Sequence, residues 1–258
     1  MATETPVLTV EIAGRRWRVG AQGHDISIPL DFDAPQPTFF GASPAAAAPI
    51  TAGSFVGDVR RGGSCNCSTH TLTPHCNGTH TECIGHLTAE RISVRDLSGE
   101  HFSASLLVST TSAPLITLAA LEAAVGSHEL HHYGALVVRT LPNTRDKLRR
   151  NYDRAPAPYF AADAMRWIVA NGIIALVVDL PSLDRNDDAE LTTHRIFWGL
   201  PSGATQAAEA TRPRATVTEL AFIDDTIPDG PYLLNLQVAP FVADAAPSRP
   251  ILLPLTPS

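Results

Sequence analysis

The sequence predicts a single mixed α/β domain spanning 1–258, with residues 1–24 as an N-terminal β-hairpin extension. Three observations point there. Helical and strand patterns alternate after residue 110, in the order typical of α/β folds. Strand-like runs outnumber helical ones, and no internal repeat divides the 258 residues, a length that can bury a substantial core.

The elements follow in order. Val7–Ile12 and Arg16–Val19 alternate in character around Ala13-Gly14 and predict the hairpin. Asp25–Leu30 reads as a third short strand. Residues 33–53, rich in Pro and Ala, read as a long ordered loop, because Phe39 and Phe40 need a surface to pack on. Phe102–Val108 is a strand, and Ile116–Val125 a short helix closed by Gly126. Ala135–Val138 is wholly apolar, as suits a strand covered on both faces. A polar loop over 141–158 leads to a helix over Phe160–Gly172, with Met165, Ile168 and Val169 on one stripe and Asn171-Gly172 as its stop. Ile173–Val178 is a second buried strand ending at Asp179. Thr216–Phe222, Tyr232–Val238 and Ile251–Leu253 complete the strands.

Composition narrows the function. Hydrophobic residues make up 44% and charged residues 17%, a globular profile. A net charge of −7 argues against nucleic acid, which requires a basic face. The basic run Arg145–Arg150 is short, contains Asp146, and reads as a solvated loop or substrate-facing rim. The N-terminal residues show no signal core, and no apolar run approaches the ~20 residues that span a bilayer, so a cytoplasmic location without membrane association is expected. Cys65, Cys67, Cys76 and Cys83 lie too close in sequence to staple distant segments, and read as free thiols or metal ligands.

Chemistry concentrates in residues 75–86, His-Cys-Asn-Gly-Thr-His-Thr-Glu-Cys-Ile-Gly-His. Imidazoles, a carboxylate and thiols at this density bind divalent transition metals. Cys76, His80, Glu82 and His86 stand at offsets of four, six and ten, with Gly78 placed to let the chain bend. Catalytic metal sites draw ligands from separated segments. His194, after an acidic loop, and Glu219, a lone carboxylate in an apolar strand, are the available partners. A divalent cation there would lower the pKa of a bound water from about 15.7 to about 7 and polarise a carbonyl oxygen, which is hydrolytic chemistry. A histidine outside the ligand set would then carry protons, and His86 is the candidate. Neither a Gly-x-Ser-x-Gly elbow nor a phosphate loop nor a dinucleotide fingerprint is present.

With these residues identified, the chain resembles the metal-dependent cyclase family that includes bacterial kynurenine formamidase and isatin hydrolase. The family pattern His-x-Gly-Thr-His-x-Asp-x-Pro-x-His is matched by Cys76-Asn-Gly-Thr-His80-Thr-Glu82-Cys-Ile-Gly-His86. A second block resembles Tyr159–Phe160 through Asp179-Leu-Pro181-Ser182-Leu-Asp184, followed by His194, and a third resembles Glu219-Leu with Pro228-Asp-Gly230. The resemblance implies a swivelling β/β/α fold assembled as a homodimer or homotetramer. It implies Zn2+ or Mn2+, one or two ions, held by Cys76, His80, Glu82, His194 and Glu219, with His86 as catalytic acid/base. Phe39, and with it His75, would face a small-molecule substrate.

The implied activity is hydrolysis of a formamide, lactam or related C–N bond, as in an arylformamidase of tryptophan catabolism. Departures from the pattern carry a second reading. Cys76 replaces the first His, though His75 stands one residue away; Glu82 replaces Asp; and a Pro- and Ala-rich insertion spans about 202–215. A thiolate ligand favours zinc over manganese. Such changes would also suit a non-catalytic relative acting in binding or assembly. A structural zinc site would instead require Cys65 and Cys67 as ligands.

Overall fold

The computed structural model describes residues 8–97, 102–111 and 114–258. Val7 and the residues before it lie outside these. The hairpin expected next to them is present, with β1 (Thr9–Ile12) antiparallel to β2 (Arg15–Val19) around Ala13 and Gly14, both at positive φ.

Seven further strands form a closed ring. They are β3 (His80–Glu82), β4 (Phe102–Thr111), β5 (Ala135–Leu141), β6 (Ala175–Val178), β7 (Thr216–Glu219), β8 (Gly230–Val238) and β9 (Ala245–Pro257). Their order around the ring is β9-β8-β4-β5-β6-β7-β3, with β3 pairing back onto β9. The run β4-β5-β6-β7 is parallel, and every other pairing is antiparallel. Length allows β9 to close the ring: Ala245–Pro247 lies beside β3, Ser248–Pro254 beside β8, and Leu255–Pro257 beside β2. The sequence reading saw only Ile251–Leu253 of this 13-residue strand, because its four prolines mask the pattern.

Strand alternation sorts the core into two layers. Leu107, Ala135, Val137, Val177, Leu234 and Leu252 fill the barrel interior. Leu106, Val108, Leu136, Val138, Leu176, Val178 and Val217 point outward, under α2 (Leu118–Val125), α3 (Ala162–Ala170) and α4 (Thr192–Trp198). Each buried aliphatic side chain contributes about 1.5–3 kcal/mol. The apolar run in β5 thus reflects two covered faces. Thr117 Oγ1 caps α2 by accepting from Ala120 N–H, so this helix begins two residues later than its apolar pattern.

Some expected elements differ. Of the expected strand over 25–30 only Asp25 lies in a strand, His24–Asp25, with Ser27 bridging Ala221, and part of the 33–53 loop is strand, with Ala46–Pro49 antiparallel to Ser68–Thr71. The basic run is not simply a solvated rim. Arg145–Arg149 makes a 3-10 turn that buries Lys147, whose Nζ donates to Asp179 Oδ2 at 2.7 Å and to Thr140 O and Asn143 Oδ1. The pair anchors the start of the 179–184 loop at the carboxyl end of β6, the end of a parallel sheet where α/β folds place their ligands.

Candidate metal centre

The site is assembled on the outer face of the barrel, where β3 and β7 run side by side. Before β3, the short helix α1 (Pro74–Asn77) carries His75 inward. Thr79 then ties the chain down, accepting from Ile28 N–H at 2.7 Å and donating to Leu220 O. Alternation along β3 sends His80 and Glu82 to one face and Thr81 to the other, where it meets Thr218 at 2.7 Å. The antiparallel register sets Glu219 opposite His80 and Val217 opposite Glu82, so both carboxylates and the imidazole share a face. The first turn of α4 adds His194.

The distances show convergence. His194 Nε2 lies 3.1 Å from Glu82 Oε1 and 3.3 Å from Glu219 Oε1. His80 Nε2 lies 3.4 Å from Glu219 Oε2, and His75 Nδ1 3.0 Å from Glu82 Oε2. His80, Glu82, His194 and Glu219 are all at most 3% exposed. Each of the two innermost rings is oriented from behind. His80 Nδ1 donates to Gly78 O at 3.0 Å, and His194 Nδ1 donates to Asp184 Oδ2 at 2.6 Å. That turns both Nε2 atoms toward the centre. Glu219 Oε1 is held by Leu183 N–H at 3.1 Å.

Buried polar atoms normally find partners. Here His80 Nε2, His194 Nε2 and Glu82 Oε1 form no hydrogen bond, although they crowd together. Nitrogen and carboxylate donors set this way, with their far atoms bonded to backbone and carboxylate, are what a divalent cation requires. Ligand atoms of Glu82, His194 and Glu219 lie within 4.8 Å of one another, as do those of His75, His80 and Glu82 and those of His75, His86 and Asp244. A further group of Glu129, His131 and His132 is exposed, before the start of β5 and so at the other end of the parallel strands.

The electrostatics agree with the geometry. Burial opposes charge on Glu82, but His86, His194 and His75 outweigh it and hold its carboxyl well below the usual range. His194, buried, is pushed well above its ordinary value by Asp184, Glu219 and Glu82. Burial disfavours a charged His75, yet Asp244 and Glu82 raise it to about 10. The site is thus built to concentrate negative charge around nitrogen donors.

The structure brings together His75, His80, Glu82, His86, His194 and Glu219, with His86 Nε2 3.9 Å from Glu82 Oε2 and its ring 28% exposed. Two residues sit apart from the others. Cys76 is in none of the ligand groups; it packs with Ile28, Phe39, Tyr152 and Leu220, and burial with nearby Asp153 and Glu219 pushes its thiol up to about 11. Successive residues in a helical turn point about 100° apart, so only one of His75 and Cys76 can face Glu82. Phe39 is 2% exposed and belongs to the same apolar cluster, so it faces that cluster; Phe40, 64% exposed, stacks on it at 4.2 Å. Cys65 and Cys67 are exposed, and neither joins a ligand group.

Two residues given no role from sequence matter. Asp184 belongs to the second motif block, but its function as the support behind His194 exists only in the fold. Asp244, beside His75 and His86, carries no local signal at all.

Comparison with known proteins agrees with this picture. Over 195 residues the chain is 27% identical to the kynurenine formamidase of Bacillus mycoides, covering 75% of this chain and 82% of that enzyme. Isatin hydrolase A from Labrenzia aggregata shares the fold, with a TM-score of 0.62 at 15% identity over 90% of this chain and 93% of that one. A structure described as a potential metal-dependent hydrolase with cyclase activity matches with a TM-score of 0.63 at 16% identity, over 90% and 98% of the two chains. The Cyclase family model matches residues 24–185, which contain the whole 75–86 motif and Asp184, and the chain belongs to that family.

Proposed function

We propose that this protein is a metal-dependent hydrolase that opens the C–N bond of a formamide or lactam, with an arylformamide such as N-formylkynurenine as the leading substrate. One observation carries the reading: buried, unpartnered donor atoms of His80, Glu82 and His194 converge beside Glu219, in a chain related to a kynurenine formamidase. His80, Glu82, His194 and Glu219, joined by His75, would hold Zn2+ or Mn2+, one or two ions. When bound, such a cation supplies Lewis acidity toward a carbonyl oxygen and acidifies water.

The chain's own residues do the remainder. Asp184 and Gly78 O fix which nitrogen each inner ring presents. Glu82 offers its two oxygens to different neighbours, Oε1 to His194 and Oε2 to His75 and His86. His86, partly exposed beside this cluster, is placed to accept a proton from water and deliver it from Nε2 to the leaving nitrogen. Homo-oligomeric assembly and a cytoplasmic location belong to the same reading. Among the described residues no helix is long and apolar enough to cross a membrane.

The test is direct. Protein loaded with zinc or manganese should release formate from N-formylkynurenine or open isatin, and chelation should abolish turnover. His86→Ala should lower kcat by about 10²–10⁴ at unchanged metal content. Turnover that survives complete metal removal would end the proposal.

A further inference from the structure

Asp244 lies at the residue before β9, outside every sequence motif, yet one of its oxygens serves two rings of the site. Oδ2 lies 2.9 Å from His75 Nε2 and 3.4 Å from His86 Nδ1. The opposite nitrogens of both rings face a single atom, Glu82 Oε2, at 3.0 Å for His75 Nδ1 and 3.9 Å for His86 Nε2. The two rings lie side by side, with centroids 4.4 Å apart.

The backbone is built for this contact. Asp244 O accepts from Cys83 N–H at 3.0 Å, and Ala245 pairs with Glu82 across the sheet, which fixes Asp244 at the foot of the 3-10 turn Ile84–His86. Gly85, inside that turn, lets it sit so close. A Cβ there would come within 2.4 Å of Ile92 O and 3.2 Å of Asp244 Cβ.

We propose that Asp244 is a positioning residue that orients His75 and His86 together. A carboxylate only accepts hydrogen bonds. It therefore accepts from His75 Nε2 and His86 Nδ1 and sets the other nitrogen of each ring toward Glu82 Oε2; His75 Nδ1, 3.0 Å from that second carboxylate, donates to it in the metal-free protein and would lose that proton where a cation is bound. It does for these two rings what Asp184 does for His194, so the site has two outer carboxylates. The inference rests on the proposed hydrolase reading for its kinetic arm, but its structural arm is independent of turnover.

The experiment is Asp244→Ala in the zinc-loaded full chain. It removes the acceptor that both rings share, whereas an Asn oxygen, with two lone pairs, could still accept from both. The ¹⁵N-histidine spectrum of the variant should show a changed tautomer for His75 or His86 while His80 and His194 keep theirs. On the chosen formamide or lactam, kcat should fall about 10–100-fold, as for other outer-carboxylate losses, with KM within about twofold. Asp244→Leu should reproduce the spectral change and serves where the Ala variant folds poorly. A tautomer change in a protein without amidohydrolase activity would sustain the inference and reject the functional reading. Unchanged histidine spectra in a folded, zinc-loaded variant would overturn the inference, as would a loss of turnover explained wholly by lost zinc.

Discussion

Asp184→Asn tests how the centre is held. Asp184 is 4% exposed and accepts four hydrogen bonds: Oδ1 from Thr193 N–H and Oγ1–H, both at 2.6 Å, and Oδ2 from His194 N–H at 3.2 Å and His194 Nδ1 at 2.6 Å. Burial alone would raise its pKa, but the His194 hydrogen bond and charge, with the Thr193 donors, hold it below the ordinary value. An Asn of the same shape has one accepting face and one donating face. Whichever way it turns, its NH₂ meets a backbone N–H, of Thr193 or of His194. Leaving one buried donor unpaired costs about 1–3 kcal/mol. At roughly 2–4 °C per kcal/mol for a chain of this size, melting should fall by about 2–12 °C. If the amide faces His194, it also donates to Nδ1 and drives the ring proton to Nε2, the atom that should face a cation. Losing such an outer-sphere carboxylate lowers metal affinity about 10–100-fold, or about 1.4–2.7 kcal/mol. Calorimetry of the metal-free protein and a zinc competition titration against a chromophoric chelator measure the two effects separately. Zinc affinity within about twofold of the parent would refute the assignment of His194 Nε2 as a ligand atom.

Other consequences follow from the same geometry. Cys76→Ala should leave zinc stoichiometry unchanged, whereas His75→Ala should weaken zinc binding about tenfold or more; the reverse pattern in metal analysis would show that the thiol is the ligand. Lys147→Met would leave Asp179, already raised by burial, without its cation, at a cost of about 3–5 kcal/mol visible as a lower urea midpoint. For the metal-free protein, His75 is raised from 6.5 to about 10. A group raised by folding stabilises fully below its unfolded value and loses that contribution as pH rises, so the melting temperature should decline between about pH 6.5 and 10. A flat or rising profile across that window would contradict the ion pairs drawn here.

Much of this protein is legible in one dimension. Unbroken apolar runs mark β5 and β6, and a stripe of period 3.6 marks α3, because burial is written into local composition. The 75–86 motif declares its chemistry by residue type alone. His194 and Glu219 stand out as polar residues in segments that otherwise read as loop edge and apolar strand.

Other features depend on where the chain turns. The motif shows no strand pattern in sequence because a three-residue strand flanked by single turns has too few positions to show a period, and its strand character comes from pairing with β7 and β9. Helix α4 escapes detection because polar Thr192, Thr193 and His194 open it, and their partner Asp184 is supplied from a neighbouring loop. The choice between His75 and Cys76 is a matter of angle: one turn of helix, anchored through Thr79, turns His75 toward Glu82 and Cys76 toward Ile28 and Phe39. Phe39 and Phe40 are equivalent in sequence, and only packing against Tyr152 and Leu220 buries the first and exposes the second. Sequence alone therefore determined the class of fold and the kinds of ligand atom, since both follow from which side chains are present. Tertiary structure decided which of them face the centre and which carboxylates stand behind them, because hydrogen-bond direction exists only once distant segments are fixed in space.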